Sequence, residues 1–234
     1  MLHRIGSEVD GLVPDNFARL LFDDIPYLKV AMQEHDTFAK TLRDNGVEVV
    51  YYVDELAKAL ADPKVRLAFV REMLDEVHFS SPSVKEAVFD FLKDMEPLAL
   101  GEKVIAGIRK DDLPDYKPRT LAERIDAAYP FYMDPLPNMY FTRDQGACVG
   151  DGIAIHHMST ATRRRESLLL KYIYEYNKEF APEGTKKLTM PADRKANSGK
   201  VTVVEMATKA SEITPAREAP VSGFAPVIMP MMPA

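Results

Sequence analysis

Residues 137–144 read Pro-Asn-Met-Tyr-Phe-Thr-Arg-Asp, where an apolar stretch ends in a loop. They set an amide (Asn138), an aromatic face (Phe141) and a carboxylate (Asp144) three positions apart. Further on, Thr162-Arg163-Arg164-Arg165 adds cations. A carboxylate meets the edge of a guanidinium with two charge-assisted hydrogen bonds, and an arginine meets a carboxylate in the same way. An aromatic wall, one fixed carboxylate and one fixed guanidinium therefore suit a small zwitterion that also carries a cationic head.

Other reactive residues carry weaker signals. His156 and His157 are adjacent on an expected strand, where neighbours point to opposite faces, so no shared metal ion is expected. Cys148 is the single cysteine and lies four positions past Asp144 on the same stretch, where a small buried residue serves. Arg163-Arg164-Arg165 opens a helix beside Glu166, and a solvated face accounts for Arg164 and Arg165.

The elements that must position these groups follow from pattern. Leu28, Ala31, Met32, Phe38, Ala39 and Leu42 form one helical stripe over Tyr27–Asn45. Asn45-Gly46 tolerates the left-handed conformation and ends it. Val47–Val53 is β-branched and aromatic, which predicts a buried strand. Residues 54–110 change character and predict helices. Asp62-Pro63 is a cap with proline at the first helical position, and Val65, Phe69, Met73 and Val77 form that helix's inner face. Ser83–Glu86 is a capping box for a second helix that stops at Pro97, and a third covers Glu102–Arg109. Ala147–Val149 and Ile153–Ile155 predict a hairpin around Gly150-Asp151-Gly152, followed by a helix over Thr162–Tyr176. Beyond Lys186 prolines recur, Phe224 is the sole aromatic, and only Val201–Met206 resembles a strand. The division expected is a first α/β module over 1–53, an inserted helical bundle over 54–115, a second α/β module over 116–186 and an irregular or disordered tail over 187–234.

Composition narrows the function. The 234 residues are 28% charged with a net charge of −6. A weakly acidic chain lacks the basic field that general nucleic-acid binding needs. No stretch approaches the ~18 apolar residues of a membrane span. The N-terminus has no signal-peptide core, and one cysteine fits a reducing compartment, so a cytoplasmic location is expected.

Arg19-Leu20-Leu21-Phe22-Asp23-Asp24-Ile25, then Glu34-His35-Asp36-Thr37-Phe38, Pro137–Asp144 and Thr162–Glu166 together, in this order, resemble arginine deiminase. The likeness covers about residues 1–185. It implies a pentein fold, an α/β propeller of ββαβ modules with a helical bundle inserted after the first; this chain is expected to hold part of it. It implies hydrolysis of L-arginine to L-citrulline and ammonia without metal or cofactor. A cysteine thiolate attacks the guanidinium carbon, a histidine handles protons, and water resolves the covalent intermediate. By the same resemblance Asp144 is the guanidinium-binding carboxylate and Arg163 binds the α-carboxylate. Asn138 and Phe141 line the pocket, and Leu21 makes a backbone contact near the amino-acid end of L-arginine.

The resemblance also sets expectations for what is missing. The family's nucleophilic cysteine, catalytic histidine and second carboxylate lie beyond the matching stretch, and Cys148 is not that nucleophile. Met1–Arg4 looks like the end of a strand that begins earlier, and the tail like a frame-shifted or rearranged continuation. The expectation is an arginine deiminase portion inactive by itself, with exposed edges and some self-association. The alternative is a non-catalytic arginine-binding or interaction fragment. An agmatine deiminase or amidinotransferase fits less well, because Arg163 matches a group that binds an α-carboxylate.

Overall fold

The computed structural model describes residues 1–125, 128–149, 152–180, 187–189 and 202–205. Local signals place three of the helix starts. Three helices begin on proline, whose fixed φ suits the first turn and whose missing N–H is not needed there. These are α4 (Pro63–Asp75), α5 (Pro82–Leu92) and α6 (Pro97–Ala106). Asp62 caps α4 by accepting from the Lys64 N–H at 2.7 Å. Two expectations move here. The cap of α5 is Ser81, which accepts from the Val84 N–H at 3.2 Å, because Pro82 rather than Ser83 occupies the first helical position. Pro97 starts α6 instead of ending α5, and α6 stops at Gly107. Gly107 has φ +83°, and a Cβ there would come within 2.7 Å of the Pro135 nitrogen. Only glycine meets both demands.

Before these lie α1 (Phe17–Leu20), α2 (Leu28–Asp44) and α3 (Tyr52–Ala59). α2 has the expected limits and ends on Asn45 and Gly46, with Gly46 at φ +78°. Its stripe is shallower than the period predicts: Ala39 is buried, whereas Phe38 is 53% exposed. The strand predicted over Val47–Val53 is not formed. A strand needs a partner, and among the described residues Leu2 alone pairs with this stretch, in one parallel bridge to Tyr51. Its bonds are Leu2 N–H to Val50 O (2.9 Å) and Tyr52 N–H to Leu2 O (2.8 Å). From Tyr52 the chain is helical, with Asp54 and Glu55 in the first turn, where carboxylates favour the helix dipole.

β1 (Ile108–Arg109) and β2 (Phe131–Met133) form an antiparallel pair, and α7 (Leu121–Ile125) lies between them in sequence. β3 (Gly146–Val149) and β4 (Gly152–Ile155) form the expected hairpin; its turn residues Gly150 and Asp151 fall outside the described residues. α8 (Arg164–Tyr176) follows. β5 (Lys187–Thr189) and β6 (Thr202–Glu205) complete a four-stranded antiparallel sheet ordered β3-β4-β6-β5. Two strands thus fall within the stretch expected to be irregular, where β6 pairs with β4 (Ile153 opposite Val204); the rest of residues 190–234 lies outside the described set.

The architecture is mixed helix and strand, and neither sheet closes on itself among the described residues. One apolar cluster runs through Leu56, Phe69, Val88, Leu100 and Val104 of the helices, Met133 of β2, Met139 of the turn that follows it, Ile153 of β4 and Leu169 and Ile173 of α8. A smaller cluster of Val9, Leu12 and Leu20 holds the N-terminal turns. No helix among the described residues is long and apolar enough to cross a membrane.

Candidate functional site

The loop from Leu136 to Asp144 is a chain of short turns. Leu136 N–H is anchored to Ile105 O of α6 at 2.8 Å, and Met139 N–H bonds Leu136 O at 3.1 Å. Phe141 N–H then donates to Asn138 O (3.0 Å) and Asp144 N–H to Phe141 O (3.1 Å). Bonds between residues three apart tie Asn138, Phe141 and Asp144 directly, so their spacing in sequence is the period of this backbone.

Their side chains part company. Asn138 is buried and donates Nδ2–H to Leu20 O at 2.7 Å. It therefore holds the turn after α1 and does not face the surface with Asp144. Leu21, at the end of that turn, has φ +62° and ψ +42° and is 55% exposed. Thr162 pins the same turn from another side, its hydroxyl donating to Arg19 O at 3.2 Å. A left-handed conformation costs a non-glycine residue about 1–2 kcal/mol. Leu21→Gly is therefore expected to be neutral or to stabilise by about 1 kcal/mol, and the β-branched Leu21→Val to destabilise by about 1–3 kcal/mol. Urea midpoints of the two variants check this.

Phe141 is 43% exposed and lies against Tyr140, ring centroids 3.9 Å apart, making an aromatic face on the loop that leads to Asp144. The Asp144 side chain is 43% exposed and accepts from Arg163 Nη2 at 3.0 Å. Arg163 is largely buried. It reaches the deeply buried Glu166 with Nε at 3.0 and 3.1 Å from the two carboxylate oxygens and Nη2 at 2.9 Å. Gln145 Nε2 donates to Glu166 Oε2 at 2.9 Å. Burial works against the Arg163 charge, but Glu166 and then Asp144 outweigh it and hold the guanidinium above its ordinary value. The structure thus brings Asp144 and Arg163 into contact, ties Asp144 to Phe141 through the backbone, and sets Asn138 on Leu20, the residue before Leu21.

In this arrangement the expected cation-binding carboxylate and the expected carboxylate-binding arginine satisfy each other. A ligand carrying both charges replaces one internal contact with two, and Arg163 keeps its hold on Glu166. Among the described residues no group of His, Cys, Asp and Glu side chains gathers as a metal site would require.

Four neighbours have partners that the sequence does not reveal. Glu166, which the sequence places only as a neighbour of the arginines, is 1% exposed, and Arg165 is 3% exposed rather than on the expected solvated face. Both lie on the face of α8 that enters the core with Leu169, Tyr172 and Ile173. Arg165 donates to Asp134 O at 2.9 Å, and its burial lowers its pKa to about 10. Gln145 and His156 meet because the hairpin register continues past Gly146–Ile155. His156 N–H donates to Gln145 O (2.9 Å), and its Nδ1 lies 3.0 Å from Asp144 O. The hairpin spacing carried that signal. Cys148 is exposed, not buried as expected, because β3 is an edge strand of its sheet.

Comparison with known proteins adds to this geometry. Residues 18–205 match the family model described as arginine deiminase. The chain is 48% identical over 185 residues to the arginine deiminase of Limosilactobacillus reuteri, covering 79% of this chain and 45% of that protein. It is 46% identical over 185 residues to that of Latilactobacillus sakei subsp. sakei, with the same coverage. It is 44% identical over 182 residues to that of Clostridium perfringens, covering 77% and 44%. The chain therefore spans less than half the length of these curated relatives.

Proposed function

Because the chain belongs to the arginine deiminase family, we propose that it forms the arginine-holding part of a hydrolase that converts L-arginine to L-citrulline and ammonia. Asp144 grips the substrate guanidinium, Arg163 takes the α-carboxylate, Phe141 flanks the alkyl chain, and Asn138 and Leu21 shape the wall below. The observation that carries this is the Asp144–Arg163 contact at 3.0 Å beside the Tyr140–Phe141 face. Here the two groups pair with each other, and a ligand with a guanidinium at one end and a carboxylate at the other carries a partner for each.

The finer architecture belongs to the same proposal. Residues 1–53 and 116–186 are α/β modules of a pentein-type propeller, with 54–115 inserted between them as a helical bundle. The partner is L-arginine, not nucleic acid or membrane, and the location is cytoplasmic. Self-association through apolar surface is part of the reading, supported by Tyr27 (70% exposed) and Phe38 on α2.

The covalent step needs a thiolate beside a positioned base. Cys148 sits exposed on β3 opposite Ile153, and we assign it no part in that step. Titration calorimetry of L-arginine into the 234-residue chain tests the proposal. Saturable binding of one arginine, weak and on the order of millimolar, is expected without citrulline release. Absence of saturable binding overturns the arginine site, and citrulline formation overturns the assignment of Cys148.

A further inference from the structure

We infer that Glu166 is a positioning residue for Arg163, presenting its guanidinium to an incoming carboxylate. This rests on the reading that Arg163 binds the α-carboxylate of L-arginine. Arg163 and Glu166 stand three residues apart at the start of α8, where a side-chain pair meets on one face. Glu166 accepts three contacts from Arg163, at 2.9, 3.0 and 3.1 Å, along the edge formed by Nε and Nη2. Contacts along one edge of a planar fork fix both its position and its plane. Gln145 holds the carboxylate from the other side at 2.9 Å, so Glu166 is itself fixed.

The arrangement has a second effect. Arg163 makes one contact with Asp144 and three with Glu166. Glu166 therefore compensates most of the arginine's charge and leaves Asp144 free to exchange Arg163 for a substrate cation. Without Glu166 the arginine has Asp144 as its remaining acidic partner, and the two substrate-binding groups neutralise each other. A buried carboxylate with no role beyond packing has no such bearing on ligand choice.

The test compares L-arginine with agmatine, which has the same guanidinium and alkyl chain but no α-carboxylate. Both are titrated into the 234-residue chain and into Glu166→Gln. The wild type is expected to prefer L-arginine. Glu166→Gln is expected to lower that preference roughly tenfold, with a smaller loss for agmatine, because the lost group acts on the carboxylate end. A variant that melts earlier yet keeps the full preference reduces Glu166 to a structural role and overturns the inference. If Glu166→Gln does not fold, Glu166→Asp and Gln145→Ala decide: unchanged preference in both overturns it. A wild type that binds L-arginine no better than agmatine removes the reading of Arg163, and the inference with it.

Discussion

Asp144→Ala is expected to abolish detectable L-arginine binding while leaving the fold intact. The carboxylate supplies two charge-assisted hydrogen bonds to a guanidinium, each worth about 1.5–3 kcal/mol. Against millimolar affinity, about 4 kcal/mol in all, that loss leaves nothing to measure. The stability effect is small, because the Asp144 side chain is 43% exposed and its pair with Arg163 counts as a surface ion pair, worth about 0–1 kcal/mol. Arg163 retains Glu166 in the variant, so no buried charge is stranded. Asp144→Asn keeps the shape and loses the charge, and is expected to fall between. Calorimetry beside a urea titration separates the two effects. Binding within twofold of wild type in Asp144→Ala would place the cation elsewhere.

Phe69→Ala is expected to bring the chain close to unfolding. Phe69 is fully buried and packs edge-to-face on Tyr172, centroids 5.0 Å apart at 74°. Removing a buried phenyl ring costs about 3–5 kcal/mol, and an aromatic pair adds about 0.5–1.5 kcal/mol. A domain's whole stability is about 5–15 kcal/mol. The contact matters beyond its size because it joins α4 to α8, and α8 begins with the residues that hold Arg163. Tyr172 also donates to Glu72 Oε2 of α4 at 3.0 Å, so the same two helices share a polar tie. Loss of the ring should therefore weaken arginine binding as well as lower the urea midpoint. A cost below about 1.5 kcal/mol, the range of a volume-conserving core swap, would show that α4 and α8 do not share one core.

Where the signal lay within a few residues, the chain could be read directly. Pro63 at the first helical position and the Asp62 cap are properties of adjacent residues, as is the stop at Asn45-Gly46, and each acts as its chemistry demands. The three-residue spacing of Asn138, Phe141 and Asp144 belongs to the same class, since successive turn bonds join them. The strand over Val47–Val53 was misread because its composition is that of a strand, but a strand exists only when another segment pairs with it. The exposure of Cys148 has a related cause: a strand's composition does not say whether it will be an edge.

The sequence by itself determined the family, the limits of α2 and the start of α4, and the residue types that suit an arginine. What only the tertiary structure decided is which of those side chains meet. Asn138 turns inward to Leu20, Arg165 and Glu166 enter the core, Gln145 meets Glu166, and His156 comes to Asp144 through the hairpin. The reason is physical. A turn or a cap is closed by neighbours within one helical turn, whereas a side chain's partner depends on where the chain returns many residues later, and burial there sets which charges must be paired.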